Sequence, residues 1–200
     1  MKKLNLGIVG TGDAAEVHFH ALKKINLYNI KSICGKNNKR LSYRKKEWKL
    51  NSYLDVYTMV KSENLDVVLI CNENNLHFKE AKKAVKAGAH IMVEKPIDAD
   101  VRNSIKLIEL CKKEKKIIAV VMQKRFDKAT IYLKKLVKKN ILGKIISAKV
   151  DVFMYRDKKY FSRRKWIHNS KMIGGGITLH HAVHSIDQII YILDKKISNV

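Results

Sequence analysis

Lys95 stands between Glu94 and Pro96, the only proline of the chain, directly after the apolar run His90 to Val93. A lysine amine can hold a substrate hydroxyl and move its proton when burial or nearby positive charge lowers its pKa from the reference value of about 10.4. His180, His184 and Asp187 lie at i, i+4 and i+7, so a helix would present them on one face. Imidazoles near their unperturbed pKa of about 6.5 suit general acid-base work. The same histidines with Asp187 or His181 also have the spacing of zinc ligands, though no other metal signal accompanies them and no metal is expected. Asp187 is better suited to anchoring its helix by hydrogen bonding than to chemistry. A third group, Gly10-Thr11-Gly12-Asp13-Ala14-Ala15, follows a short apolar run and opens a helical pattern, matching G-x-G-x-x-G/A in the required setting. Gly10 permits a tight turn, Gly12 lets the backbone approach a pyrophosphate, and Ala15 lets the helix pack closely on the strand. The helix N-terminus adds unpaired N–H groups and a positive dipole end.

These groups need a sheet with helices on both faces. Leu4 to Val9, Ile30 to Cys34, Asp66 to Cys71, His90 to Val93 and Ile117 to Met122 are short apolar runs of the kind found in buried parallel strands. Helical spacing from Ala15 to Leu22, Leu76 to Lys86 and Ser104 to Lys115 lies between them, and Gly88 is placed to end a helix. Residues 1–122 are therefore expected to form an α/β dinucleotide-binding Rossmann domain, a doubly wound parallel sheet. The end of the second strand should read the adenosine ribose, with an acid for NAD or a cation for the 2'-phosphate of NADP. It carries Gly35-Lys36, with Lys39 and Arg40 following, which favours NADP over NAD unless Lys36 is merely solvated.

Residues 123–200 are expected to be a partial α+β second domain. Ala129, Tyr132, Leu133, Leu136 and Val137 mark a helix, and Ile146, Ala148, Val150, Val152 and Met154 alternate with more polar neighbours as a strand would. The aromatic and basic loop Arg156 to Lys171 then leads through Gly174, Gly175 and Gly176 to a helix from Ile177 to Leu193. A lone strand leaves its backbone groups without partners, so this domain reads as incomplete.

Composition narrows the setting. Hydrophobic residues make up 46% of the 200 residues, enough for a sizeable core. The net charge of +24 comes from 42 Lys and Arg against 18 Asp and Glu. The lysines are scattered rather than clustered, so nucleic-acid binding ranks last and no nucleic-acid or membrane partner is expected. Cys34, Cys71 and Cys111 show no CxxC spacing, which fits a reducing, cytoplasmic setting. The opening MKKLNLGIVG is read as a first strand rather than a signal peptide.

On the glycine turn, Asn74-Asn75-Leu76-His77, Glu94-Lys95-Pro96, Arg125-Phe126 and the block GGGITLHHAVHSID from Gly174 to Asp187, the chain resembles the Gfo/Idh/MocA oxidoreductases over nearly its whole length. The resemblance implies NAD(P)-dependent hydride transfer at a secondary alcohol of a sugar, inositol or nucleotide sugar. It makes Lys95 the catalytic lysine, followed by a proline often preceded by a cis bond, and makes His184 the histidine that shuttles protons with it. That reading requires Lys95 and His184 to meet one substrate. An aspartate often stands where this chain has His180, leaving His180 as base, substrate ligand or spectator. Cofactor contacts are implied at Gly10, Thr11, Gly12, Asp13, Ala14, Ala15, Gly35, Lys36, Asn72, Asn74, His77, Glu94, Lys95 and Gln123. Substrate contacts are implied at Lys95, Arg156, His180 and His184. A homo-oligomer is expected if the second domain is completed. The competing expectation is a non-catalytic NAD(P)-binding or regulatory protein, motivated by the incomplete second domain.

Overall fold

The structure, a computed structural model, describes residues 2–163 and 165–199. Its first compact unit is Met1–Val121 with Lys171–Gly174. There β1 (Leu4–Val9), β2 (Tyr28–Cys34), β3 (Asn51–Tyr53), β4 (Val67–Ile70), β5 (His90–Glu94) and β6 (Ile118–Val121) form one sheet in the order β3-β2-β1-β4-β5-β6. Every neighbouring pair is parallel. Helices α1 (Asp13–Lys23), α2 (Asn38–Trp48), α3 (Val56–Glu63), α4 (His77–Ala87) and α5 (Val101–Lys113) make the crossovers.

The alternation of side chains along each strand divides the core in two. Leu6, Ile8, Ile33, Val67 and Leu69 pack with Ala15, Phe19 and Leu22 of α1 and with Leu41 and Trp48 of α2. Val9, Cys34, Val68, Ile70, Ile91 and Val93 take the other face, against α3, α4 and α5. Both faces are therefore covered, which is why these strands read as continuous apolar runs. Gly88 ends α4 at φ +104, as its position after the helical run predicts.

The sequence reading did not anticipate α2, β3 and α3. Lysine-rich α2 buries only Leu41 and Trp48, and β3 is three residues long, so neither carries a strong periodic signal.

The second unit is Met122–Ser170 with Gly175–Val200. It holds α6 (Lys128–Lys138), α7 (Lys158–Arg163) and a π-helical turn, Thr178–Ala182, that runs into α9 (Val183–Leu193); α8 (Ser170–Ile173) lies largely in the first unit. The strand expected over 146–154 is not formed, and among the described residues this unit contains no strand. Ile146 and Phe153 are 93% and 92% exposed. An alternating segment becomes a strand only when a neighbour takes its N–H and C=O groups, and no neighbour is present among the described residues. The described residues of this unit are helix and loop. The helix expected from Ile177 starts instead with the wider π turn.

Candidate functional site

In the first unit the candidate residues collect at the C-terminal ends of β1, β2, β4 and β5, the edge where open parallel sheets receive ligands. Gly10 has φ +121, and a Cβ there would lie 2.7 Å from the Cys71 carbonyl oxygen, so both backbone angle and space require glycine. Gly12 differs. It has φ −88 and ψ −169, and a Cβ there would meet nothing within 4 Å. Its smallness is not needed by the fold and leaves the backbone open on that side. No side chain caps the N-terminus of α1, a helix end of the kind whose amides and positive dipole favour an anion. Asp13 and Ala14 are exposed on that turn, while Ala15 is fully buried against the sheet. Thr11 packs against Gly35, where an added Cβ would stand 2.7 Å from the Thr11 methyl.

At the end of β2, the Lys36 side chain is 63% exposed. Its ammonium lies 3.6 Å from Oε1 of Glu80, whose side chain is 5% exposed and which also faces Lys83 at 3.3 Å. Asp55 accepts from Lys83 at 2.7 Å and caps α3 through the Thr58 amide. The Lys83 ammonium, with Thr58, holds the Asp55 carboxyl down at about 2. Burial pushes the nearby Cys34 thiol up to about 12, so it is inert rather than nucleophilic.

After β4, the carboxamide oxygens of Asn72 and Asn75 are buried and make no hydrogen bond. Orphaned acceptors of this kind suit a ligand carrying N–H or O–H donors. Asn74 instead serves the fold, donating from Nδ2 to the Ile173 carbonyl at 3.2 Å. His77 is completely buried, with Nδ1 2.8 Å from the Pro96 carbonyl and Nε2 3.2 Å from that of Asn72. Its bearing on a cofactor is thus through main chain that it holds. Burial lowers its pKa despite both carbonyls, so the ring is neutral and carries one N–H.

Glu94 ends β5 and Lys95 follows it, two strands from the glycine turn and so roughly 10 Å away along the sheet. Glu94 Oε1 lies 2.7 Å from His18 Nε2, and Glu94 Oε2 accepts from the Lys95 amide at 3.0 Å. Burial acts to raise the Glu94 carboxyl, but the His18 and Lys95 interactions keep it below its ordinary value. The His18–Glu94 pair, separated by 76 residues, left no trace in the sequence reading. Burial pulls the Lys95 ammonium below its ordinary pKa, opposed by the Glu94 charge. The Lys95–Pro96 peptide is cis.

The second unit carries the remaining candidates. Gln123 is exposed at the start of a 3-10 turn, Gln123–Phe126. Arg125 grips Asp187 in two hydrogen bonds, Nε to Oδ2 at 2.7 Å and Nη2 to Oδ1 at 2.5 Å. Asp187 is therefore an anchor for α9. Among the described residues, no three His, Cys, Asp or Glu side chains are grouped as metal ligands. His180, on the π turn, has Nε2 3.1 Å from the Tyr160 hydroxyl, and the Trp166 ring stands edge-on to it at 5.6 Å. The Tyr160 partnership was not anticipated; the aromatic loop was its only sequence signal. Exposed Arg156 lies over the Tyr160 ring at 4.7 Å. His184 is half-buried in the first turn of α9. A Cβ on Gly175 would stand 2.8 Å from that of Leu179, so helix packing accounts for this glycine.

Sheet order, glycine turn and an uncapped α1 define a Rossmann-fold protein of the dinucleotide-binding class. A family model described as an oxidoreductase family with an NAD-binding Rossmann fold matches residues 4–122, and a GFO/IDH/MocA C-terminal domain model matches residues 130–200. The chain belongs to the GFO/IDH/MocA oxidoreductase family. It is 26% identical over 198 residues to a myo-inositol 2-dehydrogenase of Thermotoga maritima, covering 98% of this chain and 57% of the relative. A D-glucoside 3-dehydrogenase of Escherichia coli is 25% identical, with 95% of this chain and 54% of that protein covered. Among solved structures, the WlbA dehydrogenase of Chromobacterium violaceum, crystallised with NADH and UDP-GlcNAcA, superposes with a TM-score of 0.89 at 25% identity, covering 96% of this chain and 56% of that one. The chain thus spans little more than half the length of these relatives. Among the described residues no helix is long and apolar enough to cross a membrane.

Proposed function

We propose that the protein is an NAD(P)-dependent oxidoreductase of secondary alcohols, acting on a sugar, an inositol or a nucleotide sugar. The observation that carries this reading is Lys95, a half-buried lysine with a depressed pKa at the same sheet edge as the glycine turn. The names of the relatives, an inositol dehydrogenase and a glucoside dehydrogenase, support the substrate class. Gly10, Thr11, Gly12 and the first amides of α1 would hold the pyrophosphate, with Gly35 and Lys36 toward the adenosine end and Asn72, Asn75 and Glu94 toward the other. When bound, the nicotinamide supplies or accepts the hydride. Lys95 would hold the substrate hydroxyl and take its proton, work for which a lowered pKa is needed. His184 and His180 are the further acid-base candidates, and Arg156 a substrate contact. A homo-oligomer and a cytoplasmic setting remain part of the proposal.

NADP is the proposed cofactor over NAD because no carboxylate ends β2 to repel a 2'-phosphate. Glu80 already offsets part of the Lys36 charge, so the preference should be small. Lys95→Met should abolish turnover on a panel of sugars and polyols while NADPH affinity stays nearly constant. Substantial remaining turnover removes Lys95 from the chemistry. Binding of cofactor without turnover by the unaltered chain would favour a non-catalytic NAD(P)-binding protein, a reading supported by the unformed strand of the second unit.

A further inference from the structure

Two loops meet at His77. Its Nδ1 lies 2.8 Å from the carbonyl of Pro96 and its Nε2 lies 3.2 Å from the carbonyl of Asn72. Both partners are acceptors, and a neutral imidazole has one proton to give. With the proton assigned to the nitrogen of the shorter contact, Nδ1–H is the donor, to Pro96. The Nε2 lone pair then faces the Asn72 carbonyl without a hydrogen between them. The ring is 0% exposed, so no ligand reaches it. What it controls is the path of the chain immediately after Lys95. The next residue of α4 works to the same end: the Phe78 amide donates to Asp98 Oδ2 at 2.9 Å, and Asp98 Oδ1 accepts from the Asp100 amide and from Asn103 Nδ2. On the other side of Lys95, His18 and the Lys95 amide hold Glu94.

We propose that His77 is a positioning residue for Lys95, whose Nδ1–H bond to the Pro96 carbonyl fixes where the lysine side chain begins. Its Nε2 contact with Asn72 is incidental to that task. This rests on the reading of Lys95 as the proton-handling group, and the test separates the two.

The pair His77→Asn and His77→Gln decides it. An asparagine amide nitrogen takes the place of Nδ1, whereas a glutamine amide nitrogen takes the place of Nε2. His77→Asn therefore keeps the donor to Pro96, and His77→Gln moves it toward Asn72. On the full chain, His77→Gln should lose about 100-fold in kcat, the effect of displacing a reacting group by about an ångström. His77→Asn should stay within about threefold of the unaltered protein, and the NADPH dissociation constant should change little in both. The second readout needs no turnover: competitive acetylation across pH, followed by mass spectrometry of the Lys95 peptide, reports how that amine titrates. His77→Gln should return it toward ordinary lysine behaviour and His77→Asn should not. Equal behaviour of the two variants in the acetylation assay overturns the proposal. So does a fall for His77→Asn as deep as that of His77→Ala, a comparison that holds even if His77→Gln fails to fold. Absence of turnover in the unaltered chain sinks the dehydrogenase reading alone, because the acetylation comparison still decides the role of His77.

Discussion

Alanine at Gly10 and alanine at Gly12 should have opposite consequences, although the two glycines sit in one turn. At position 10 the backbone is held at φ +121, and the added methyl would meet the Cys71 carbonyl oxygen at 2.7 Å, a main-chain atom of β4's end that cannot rotate away. An unfavourable backbone angle costs on the order of 1–3 kcal/mol. Overpacking adds a similar amount. Taking about 3 kcal/mol as the net loss, the unfolding midpoint of Gly10→Ala should fall by about 10 °C for a domain of this size. At position 12, φ −88 and ψ −169 suit alanine and the methyl meets nothing within 4 Å, so stability should be unchanged or slightly raised by the stiffer unfolded chain. The same methyl would hold a pyrophosphate away from the α1 amides. A loss of about 2 kcal/mol there is a roughly 30-fold rise in the dinucleotide dissociation constant. Calorimetry gives the first number and quenching of protein fluorescence by NADPH the second. If Gly12→Ala binds NADPH as tightly as the unaltered chain, the turn does not seat the cofactor. If Gly10→Ala melts normally, the strain argument is wrong.

Three further outcomes follow from the ion pairs. Asp187→Asn should destabilise the second unit by about 1–2 kcal/mol in denaturant titrations, less than a fully buried charged hydrogen bond would give, because the Arg125 side chain is 41% exposed. Asp55 titrates at about 2 in the fold against an ordinary value of 3.8, so the stability it supplies is complete above the higher value and vanishes as pH falls through the lower. Asp55→Asn should accordingly be less stable at neutral pH and show a flatter acid limb between those values; an unchanged limb would mean Lys83 does not hold the carboxylate. Lys36→Ala should weaken NADPH binding more than NADH binding, and Glu80→Gln should do the reverse by freeing the Lys36 charge. Equal effects on the two cofactors would remove Lys36 from the 2'-position.

The sequence alone determined that a Rossmann sheet is present and where its ligand edge lies. Strands buried on both faces must be apolar throughout, and a phosphate-binding turn must use small residues at set intervals, so both leave local, readable marks. Lys95 was legible for the same reason, standing beside the single proline at a strand end. Weakly buried α2 and three-residue β3 left no such mark. The alternating run after Ile146 marked a strand that does not form, since alternation records a tendency and pairing requires a neighbour. Only tertiary structure could show that His77 reaches Pro96, that His18 holds Glu94, that Glu80 stands under Lys36, and that Asp187 belongs to Arg125. These contacts join residues distant along the chain or turned inward by a helix. Their strength depends on burial and on angles of approach, quantities set only when the whole unit has packed.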